Sequence, residues 1–322
     1  MNATGRPAVV TVGSINIDLV VKAARRPQAG ETFPGESFAI YVGGKGANQA
    51  VQAALSGATS YMVARMGDDV FAPLVAEMFD RTGVDRTFVT ADPMGSGVGH
   101  VVIDAQGDYS TVIVARANGN LAPGDIDRAE RAFAASQMLL LQLETPLPTV
   151  VYAAVKARSL GLRVCLNAAP ALAVPAELLA AVDLLIVNTI EAQMLLGSNQ
   201  PLTDLASVQA AAVALANAQR DVVITLGAKG AVALERHGQF HVQPGYSIEV
   251  VNTIGAGDAF VGELAARMAE GAPLDQALRY ANAAGALAVT RHEPQGRTPE
   301  RAEIAALLAS HSGQSSQSTR EV

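Results

Sequence analysis

The sequence predicts a doubly wound α/β protein with a mainly parallel central sheet and a small β-sheet lid. Short, uniformly apolar segments alternate along the chain with longer segments in which apolar residues recur at helical spacing. Strands of the first kind are buried on both faces, which is typical of parallel strands that are connected through helices. Two further segments contain strand pairs with glycine and proline turns and no helix between them, which indicates the lid.

The elements follow from these patterns in order. The predicted strands of the central sheet span 9–12, 60–66, 138–141, 163–166, 184–187 and 222–226, and most of them are too uniformly apolar for a half-exposed sheet. The predicted helices between and after them span 47–55, 71–81, 147–160, 204–217, 259–270 and 274–289. The lid is expected at about 18–42 and 97–114.

The domain organisation follows from length and composition. With 322 residues, of which 50% are hydrophobic, the chain can bury one large core, and we expect a single domain over 1–311. The segment 312–322 is rich in Ser and Gln and has almost nothing apolar, so it cannot repay the entropy of ordering. We expect it to be a disordered tail.

Charge and cysteine content exclude several classes of function. Lysine and arginine number 23 against 30 acidic residues, a formal net charge of −7, so the chain lacks the broad basic surface of a nucleic-acid-binding protein. Cys165 is the only cysteine, which excludes an intramolecular disulfide and a cysteine-based zinc site and predicts a buried strand residue. No segment approaches the roughly 18 continuous apolar residues of a membrane span, and no signal peptide is recognisable at the start, so we expect a cytoplasmic enzyme without a membrane partner.

Ligands of doubly wound sheets bind beyond the carboxyl ends of the strands, so the strand-to-helix junctions are the places to search. At one junction Gly255 and Gly257 precede a helix that begins with Asp258. Free amides at such a helix start can hold an anion, and the carboxylate can remove a proton from a hydroxyl group beside it. The alternative is a tight turn followed by a helix that Asp258 merely caps.

A second junction contains Gly43, Gly44, Lys45 and Asn48 at the start of a helix, where the lysine and asparagine can hydrogen-bond a polyhydroxyl compound. A phosphate-binding P-loop is excluded here, because Gly46 follows the lysine where that motif needs Ser or Thr for magnesium.

Acidic and amide side chains follow two other strands. Asn16 and Asp18 alternate with apolar residues, so they point to one side and can bind a diol; the alternative is an Asx turn. Glu144 also follows a strand, where it is either a ligand or an acid at a helix start.

A last junction suits a nucleotide. Asn188 and Glu191 share one helix face, and an amide with a carboxylate suits a hydrated magnesium ion beside phosphates. Thr225 is followed by Gly227 and Gly230, a pair that would let the backbone approach a nucleotide, although two-glycine turns are common.

These motifs together resemble the PfkB family of carbohydrate kinases, from about residue 9 to residue 308. The two family signatures are Gly-Gly-Lys-Gly-Ala-Asn at 43–48 and Gly-Ala-Gly-Asp at 255–258, in the order and separation that the family uses. Details at 13–18, 142–144 and 288–291 resemble the members that phosphorylate ribose.

The resemblance implies ATP-dependent phosphorylation of a sugar, D-ribose at its 5-hydroxyl in particular, with magnesium as cofactor. Asp258 would take the hydroxyl proton, and the amides of Gly255, Ala256 and Gly257 would hold the phosphoryl oxygens. The implied sugar ligands are Asn16, Asp18, Gly44, Lys45, Asn48, Glu144 and Asp258. The implied nucleotide contacts are Asn188, Thr225, Gly227, Gly230 and Asn282, and Asn188 with Glu191 would organise magnesium indirectly.

The resemblance also implies a site for an activating potassium ion, formed by Asn252, Ile254, Ala288 and Arg291. Asn252 stands where such family members usually have Asp, and 292–297 differs from the small residues expected there. Because an amide carries no negative charge, we expect potassium activation to be weak or absent.

Exposed lid strands and the resemblance both favour a homodimer that pairs through the lid. The lid departs from the ribose-phosphorylating members at 111–118, which lacks a glycine-rich continuation, and at His100, for which we expect a solvent-facing or interface position.

Other functions stay open at this level. A kinase for deoxyribose or fructose would share every catalytic residue, whereas a nucleoside kinase would need an apolar or aromatic base pocket, and only 4% of the residues are aromatic. A non-catalytic sugar-binding regulator is disfavoured because Asp258 and its glycine turn are present. A dehydrogenase is disfavoured because no Gly-x-Gly-x-x-Gly motif follows the first strand.

Overall fold

The computed structural model describes residues 5–291 and 298–315. The strands are, in chain order, β1 (Ala8–Val12), β2 (Asn16–Lys22), β3 (Ser37–Gly43), β4 (Thr59–Gly67), β5 (Val84–Asp92), β6 (Gly97–Ile103), β7 (Tyr109–Val114), β8 (Met138–Leu141), β9 (Arg163–Asn167), β10 (Leu184–Asn188), β11 (Asp221–Thr225), β12 (Gly230–Leu234) and β13 (Phe240–Pro244). The helices are α1 (Lys45–Leu55), α2 (Ala72–Thr82), α3 (Pro123–Arg128), α4 (Glu130–Ala135), α5 (Leu147–Ser159), α6 (Ala176–Ala181), α7 (Thr189–Leu195), α8 (Leu205–Leu215), α9 (Ala256–Ala269), α10 (Leu274–Ala288) and α11 (Arg301–Ser315). Short 3-10 helices lie at Arg116–Asn120 and Gly227–Lys229.

The strands form two sheets. The larger sheet has the order β13-β12-β11-β10-β9-β8-β1-β4-β5 and is parallel from β11 to β5, while β12 and β13 add antiparallel strands at one edge. The smaller sheet has the order β3-β2-β6-β7, in which two antiparallel pairs are joined by the parallel pair of β2 and β6. The predicted fold, a mainly parallel sheet with a small β-sheet lid, is confirmed.

Helices cover both faces of the larger sheet because its strands are apolar on both. In β8, Leu139 and Leu141 pack into the core on the side of α5 and α8, whereas Met138 and Leu140 pack with α9 and α10 on the other side. Cys165 lies in this second layer, and burial raises the pKa of its thiol to about 12. The prediction of a buried strand cysteine is confirmed.

The helices α1 and α9 pack closely, and this contact positions the site. A Cβ atom on Gly262 of α9 would lie 2.6 Å from the backbone oxygen of Gln49 in α1, so only glycine allows the observed separation. As a result, the first turn of α9 lies beside the first turns of α1.

Some elements differ from the predicted ones. α1 begins at Lys45 and α9 at Ala256, earlier than predicted, because their first turns consist of glycine, alanine and polar residues that do not show the apolar period. β5 was missed because it is half-exposed and lacks a continuous apolar run. The last helix continues to Ser315, into the predicted tail, and the remainder of that segment lies outside the described residues.

Within residues 5–291 and 298–315, no helix has both the length and the apolar content that crossing a bilayer requires.

Candidate active site

Two adjoining cavities open at the carboxyl ends of the parallel strands, and the smaller sheet lines the first of them. The first has a volume of about 300 Å³ and is lined mainly by polar side chains. The second has a volume of about 420 Å³ and is more apolar. Asn188, Thr225, Thr253 and Gly257 line both, so the cavities meet at the start of α9. This location agrees with the position of ligand sites in doubly wound sheets.

The polar cavity brings together all the predicted sugar ligands, although they are spread over more than 240 residues of sequence (16 to 258). These ligands are Asn16, Asp18, Gly44, Lys45, Asn48, Glu144 and Asp258. The smaller sheet closes one side with Tyr41, Val101, Thr111 and Ile113. Sequence reasoning missed these four, because nothing in an apolar strand residue signals a ligand contact.

Gly44 shapes the start of α1. Its φ of 92° lies in the left-handed region, and a Cβ atom there would be 2.8 Å from the backbone nitrogen of Asn16 and 2.9 Å from the backbone oxygen of Ser14. The backbone N–H of Lys45 donates to Glu144 Oε2 at 3.0 Å. Glu144 lines the polar cavity and accepts from the first N–H of α1, where negative charge is stabilised. The helix after its own strand, α5, has no acid in its first turn.

Asn16 and Asp18 lie on β2 at the cavity wall. Asn118, from the 3-10 helix after β7, donates to Asn16 Oδ1 at 2.7 Å and to the Ile15 carbonyl at 3.0 Å. A Cβ atom on Gly99, in the neighbouring strand, would lie only 2.3 Å from Asp18 Oδ1. The glycine therefore leaves space for the Asp18 carboxylate. Asn118 carried no sequence signal, since its partner is about a hundred residues away.

Asp258 is the third residue of α9 and is buried. Asn48 Nδ2 donates to its Oδ2 at 3.0 Å, and Gln49 Nε2 donates to its Oδ1 at 2.9 Å. Gly255 precedes the helix with a φ of 81°, so the chain turns sharply and aims the first amides of α9 at the junction of the two cavities. A carboxylate held by two amides beside the N–H groups of a helix start can accept a hydroxyl proton while an anion is bound.

The apolar cavity is lined by all the predicted nucleotide contacts. These are Asn188, Thr225, Gly227, Gly230 and Asn282. Asn282 is tied to the wall because its Nδ2 donates to the Pro244 carbonyl at 2.7 Å. Tyr246, Ile248, Val250 and Phe260 supply much of the apolar surface and were missed, because they lie in irregular segments or a helix interior.

Asn188 and Glu191 cap α7 reciprocally. Asn188 Oδ1 accepts from the Glu191 backbone N–H at 2.9 Å, and Glu191 Oε2 accepts from the Asn188 N–H at 2.8 Å. Burial raises the pKa of Glu191, and the negative charge of Asp258 raises it further. The hydrogen bond from the Asn188 N–H and the positive charge of Lys45 partly offset this rise. Both side chains line the polar cavity, so capping does not remove them from the site.

The acidic groups do not form a metal cage by themselves. Among the described residues, no cluster of three or more His, Cys, Asp and Glu side chains could hold a metal ion. This donor set fits magnesium bound mainly through phosphate oxygens and water, which is how nucleotide-dependent enzymes commonly hold it.

The predicted monovalent-ion residues are partly described. Asn252 Oδ1 accepts from the Ile254 N–H at 2.9 Å, and the N–H groups of Val251 and Asn252 both donate to the Val289 carbonyl, at 2.7 and 3.1 Å. The loop before α9 therefore lies against the end of α10, near Ala288 and Arg291. The segment 292–297, which departs from the small residues that the resemblance implies for this site, lies outside the described residues.

Comparison with known proteins gives relatives along nearly the whole chain. A ribokinase of Haemophilus influenzae is 34% identical over 304 residues, covering 94% of this chain and 99% of the relative. A deoxyribokinase of Salmonella typhi is also 34% identical, over 294 residues, covering 90% of this chain and 95% of the relative. The solved structure of Arabidopsis thaliana ribokinase complexed with ribose and ATP superposes with a TM-score of 0.85 at 30% identity, covering 94% of this chain and 99% of that structure.

The fold, the paired cavities and these relatives define an ATP-dependent sugar kinase. Residues 6–301 match the family described as pfkB family carbohydrate kinase. The chain belongs to this family.

Proposed function

We propose that this kinase transfers the γ-phosphoryl group of ATP to the 5-hydroxyl of D-ribose. The observation that supports it most directly is the polar cavity, in which amide and carboxylate groups from α1, β2 and the loop after β8 surround the Asp258 carboxylate. Hydroxyl-rich ligands are recognised by side chains of this kind, each of which fixes one or two hydroxyl groups.

In this proposal the oxygen of the sugar's 5-hydroxyl forms a bond to the γ-phosphorus of ATP, and Asp258 accepts the hydroxyl proton. The bond between the γ-phosphorus and the β,γ-bridging oxygen breaks at the same time, which releases ADP. The amides of Gly255, Ala256 and Gly257 stabilise the charge that builds on the phosphoryl oxygens. Lys45 adds positive charge in the same cavity. Magnesium, when bound with ATP near Asn188 and Glu191, supplies further neutralisation of the phosphates.

The smaller sheet is proposed to act as the lid of this reaction. Its inner face supplies Asp18, Tyr41, Thr111 and Ile113 to the polar cavity. Closure over bound sugar would exclude water that could otherwise accept the phosphoryl group.

The choice of sugar is the finer part of the proposal, because the chain is equally identical to a ribokinase and to a deoxyribokinase. We expect ribose to be used with a kcat/KM about 10- to 100-fold above that of deoxyribose, the loss that follows from one missing hydrogen bond to a charged group. The assay measures ATP turnover with magnesium against ribose, deoxyribose, fructose and adenosine. If another acceptor is turned over faster than ribose, the ribose assignment is wrong, but the assignment as an ATP-dependent kinase still holds.

We propose that potassium activates this enzyme weakly or not at all, because Asn252 offers no charge and its Oδ1 already accepts from the Ile254 N–H. The same assay in sodium and in potassium buffer measures the effect. Asn252→Asp is the matched variant and is expected to gain potassium stimulation. A large rise in wild-type turnover in potassium would contradict the proposal.

We propose a homodimer that pairs through the outer face of the lid. Register places Ile40, Leu19, His100 and Val112 side by side across all four strands of the smaller sheet, on the face opposite the cavity. Val112 is 65% exposed and Phe38, in the adjacent row, 60%. Such an apolar face favours burial against a second copy.

Sedimentation equilibrium measures the dimer directly. Val112→Lys would place a charge in the apolar row and is expected to give a monomer, whereas Val213→Lys, at an exposed position on α8, leaves the dimer intact. A wild-type monomer at micromolar concentration would contradict this interface.

A further inference from the structure

A chain of buried amides leads from the central sheet to Asp258. Gln142, directly after β8, donates from Nε2 to Gln49 Oε1 at 2.6 Å. Gln49 Nε2 then donates to Asp258 Oδ1 at 2.9 Å and to Asn167 Oδ1 at 3.0 Å. We name Gln142, Gln49 and Asn167 the amide relay.

Gln49 and Gln142 lie behind the carboxylate, whereas Asn167 also lines the polar cavity. Gln49 is 0% and Gln142 1% exposed, and within the described residues the linings of both cavities include neither of them. Asn48 differs, because it lines the polar cavity while it donates to the other oxygen of Asp258. An effect of Gln49 on the reaction would therefore have to act through Asp258 and not through contact with a substrate.

The order of donors and acceptors gives the relay a direction. A glutamine amide has one end that only accepts and one end that only donates. Because Asp258 Oδ1 and Asn167 Oδ1 both accept, the Nε2 end of Gln49 must face them, and its Oε1 end then accepts from Gln142 Nε2. A reversed Gln49 amide would place two acceptors against each other at Asp258 and two donors against each other at Gln142.

The backbone leaves space for this arrangement. A Cβ atom on Gly13 would lie 2.1 Å from Gln142 Oε1, so a larger residue at the end of β1 would displace the first amide of the relay. The close packing of Gly262 against the Gln49 carbonyl brings the second amide within reach of α9.

We infer that Gln49 is a positioning residue for Asp258 and that Gln142 sets the orientation of Gln49. Asn48 on Oδ2 and Gln49 on Oδ1 restrain the carboxylate at both oxygens while Asp258 lines the cavity. This inference rests on the proposed role of Asp258 as the base. Geometry within a few tenths of an ångström matters for such a step, because a misplacement of about 1 Å can cost about a hundredfold in rate.

The first test is Gln49→Met, which keeps the length and loses the hydrogen bonds. We expect kcat to fall about 10- to 100-fold, while KM for ribose and the dissociation constant for ATP stay close to the wild-type values. A residue that only supports the fold would not separate kcat from KM in this way.

The second test is a double-mutant cycle with Gln142→Met. Alone, this variant is expected to lower kcat less than Gln49→Met does, because Gln49 keeps its contact with Asp258 but can reverse. In the Gln49→Met background it should lower kcat no further, since a relay has no effect once its last member is removed. An equal loss in both backgrounds would overturn the relay.

Gln52→Met is the matched control for stability. Gln52 is equally buried on the same helix, and its Nε2 donates to Ser56 Oγ and the Pro299 carbonyl, away from Asp258. We expect it to lower the melting temperature as Gln49→Met does but to leave kcat unchanged. If Gln49→Met does not fold, the kinetics of the Gln142→Met single variant test the relay. A lower kcat at constant KM supports the relay, and an unchanged kcat overturns it.

Failure of the relay and failure of the proposed function give different results. If Asp258→Asn is inactive while Gln49→Met keeps wild-type kcat, only the relay is wrong. If Asp258→Asn keeps its turnover, the base assignment itself is wrong.

Discussion

Replacing Asp258 by Asn is expected to lower kcat about 1,000-fold, the middle of the range for loss of a general base. An amide of the same shape cannot accept the hydroxyl proton. It also meets two donors, Asn48 Nδ2 and Gln49 Nε2, with only one acceptor oxygen. Steady-state turnover of ribose at saturating ATP measures the loss.

The control for this variant is nucleotide binding. The apolar cavity is formed by residues such as Thr225, Tyr246 and Asn282, which the substitution does not alter. ATP affinity measured by calorimetry should therefore stay close to that of the wild-type protein. A turnover within tenfold of wild type would show that Asp258 is not the base.

Replacing Gly44 by Ala is expected to lower kcat/KM for the sugar about a hundredfold, because the added methyl group displaces the wall that carries Asn16. That Cβ atom would lie 2.8 Å from the Asn16 backbone nitrogen, and the backbone cannot move aside as a flexible side chain can. Kinetics with varied ribose, at saturating ATP, measure the change.

Gly83→Ala separates this effect from backbone strain. Gly83 also has a positive φ, 78°, at the end of α2, but a Cβ atom there meets nothing within 4 Å. Gly83→Ala should lose about 1–3 kcal/mol of stability, as expected for alanine in the left-handed region. Gly44→Ala should lose at least as much, because its methyl group also meets the backbone. Only Gly44→Ala should lose efficiency toward the sugar, and equal kinetics in the two variants would contradict the expected role of Gly44.

The fold was predictable where burial is continuous. Most of the six predicted strands are apolar on both faces, and the periodic helices between them require crossover connections, so a mainly parallel sheet follows from local pattern. β5 and the first turns of α1 and α9 were missed because an edge strand is half-exposed and a helix start need not carry apolar residues.

The candidate site was predictable where its residues form local motifs. Gly44, Lys45 and Asn48 are neighbours in sequence, as are Gly255, Gly257 and Asp258, and both groups line the cavities. Asn118, Gln49 and Tyr246 were not assigned to the site, because the role of each depends on a partner or a cavity formed by distant parts of the chain.

The sequence by itself determined the class of fold, the glycine turns, the acidic and amide groups at the strand ends and, through its signatures, the family. Only the tertiary structure decided which of these groups meet: Glu144 with the Lys45 amide, Asn118 with Asn16, and Gln142 through Gln49 with Asp258. Local periodicity records which face of an element is buried. Hydrogen bonds between residues more than ninety positions apart depend instead on strand order and on the packing of α1 against α9, which no local pattern encodes.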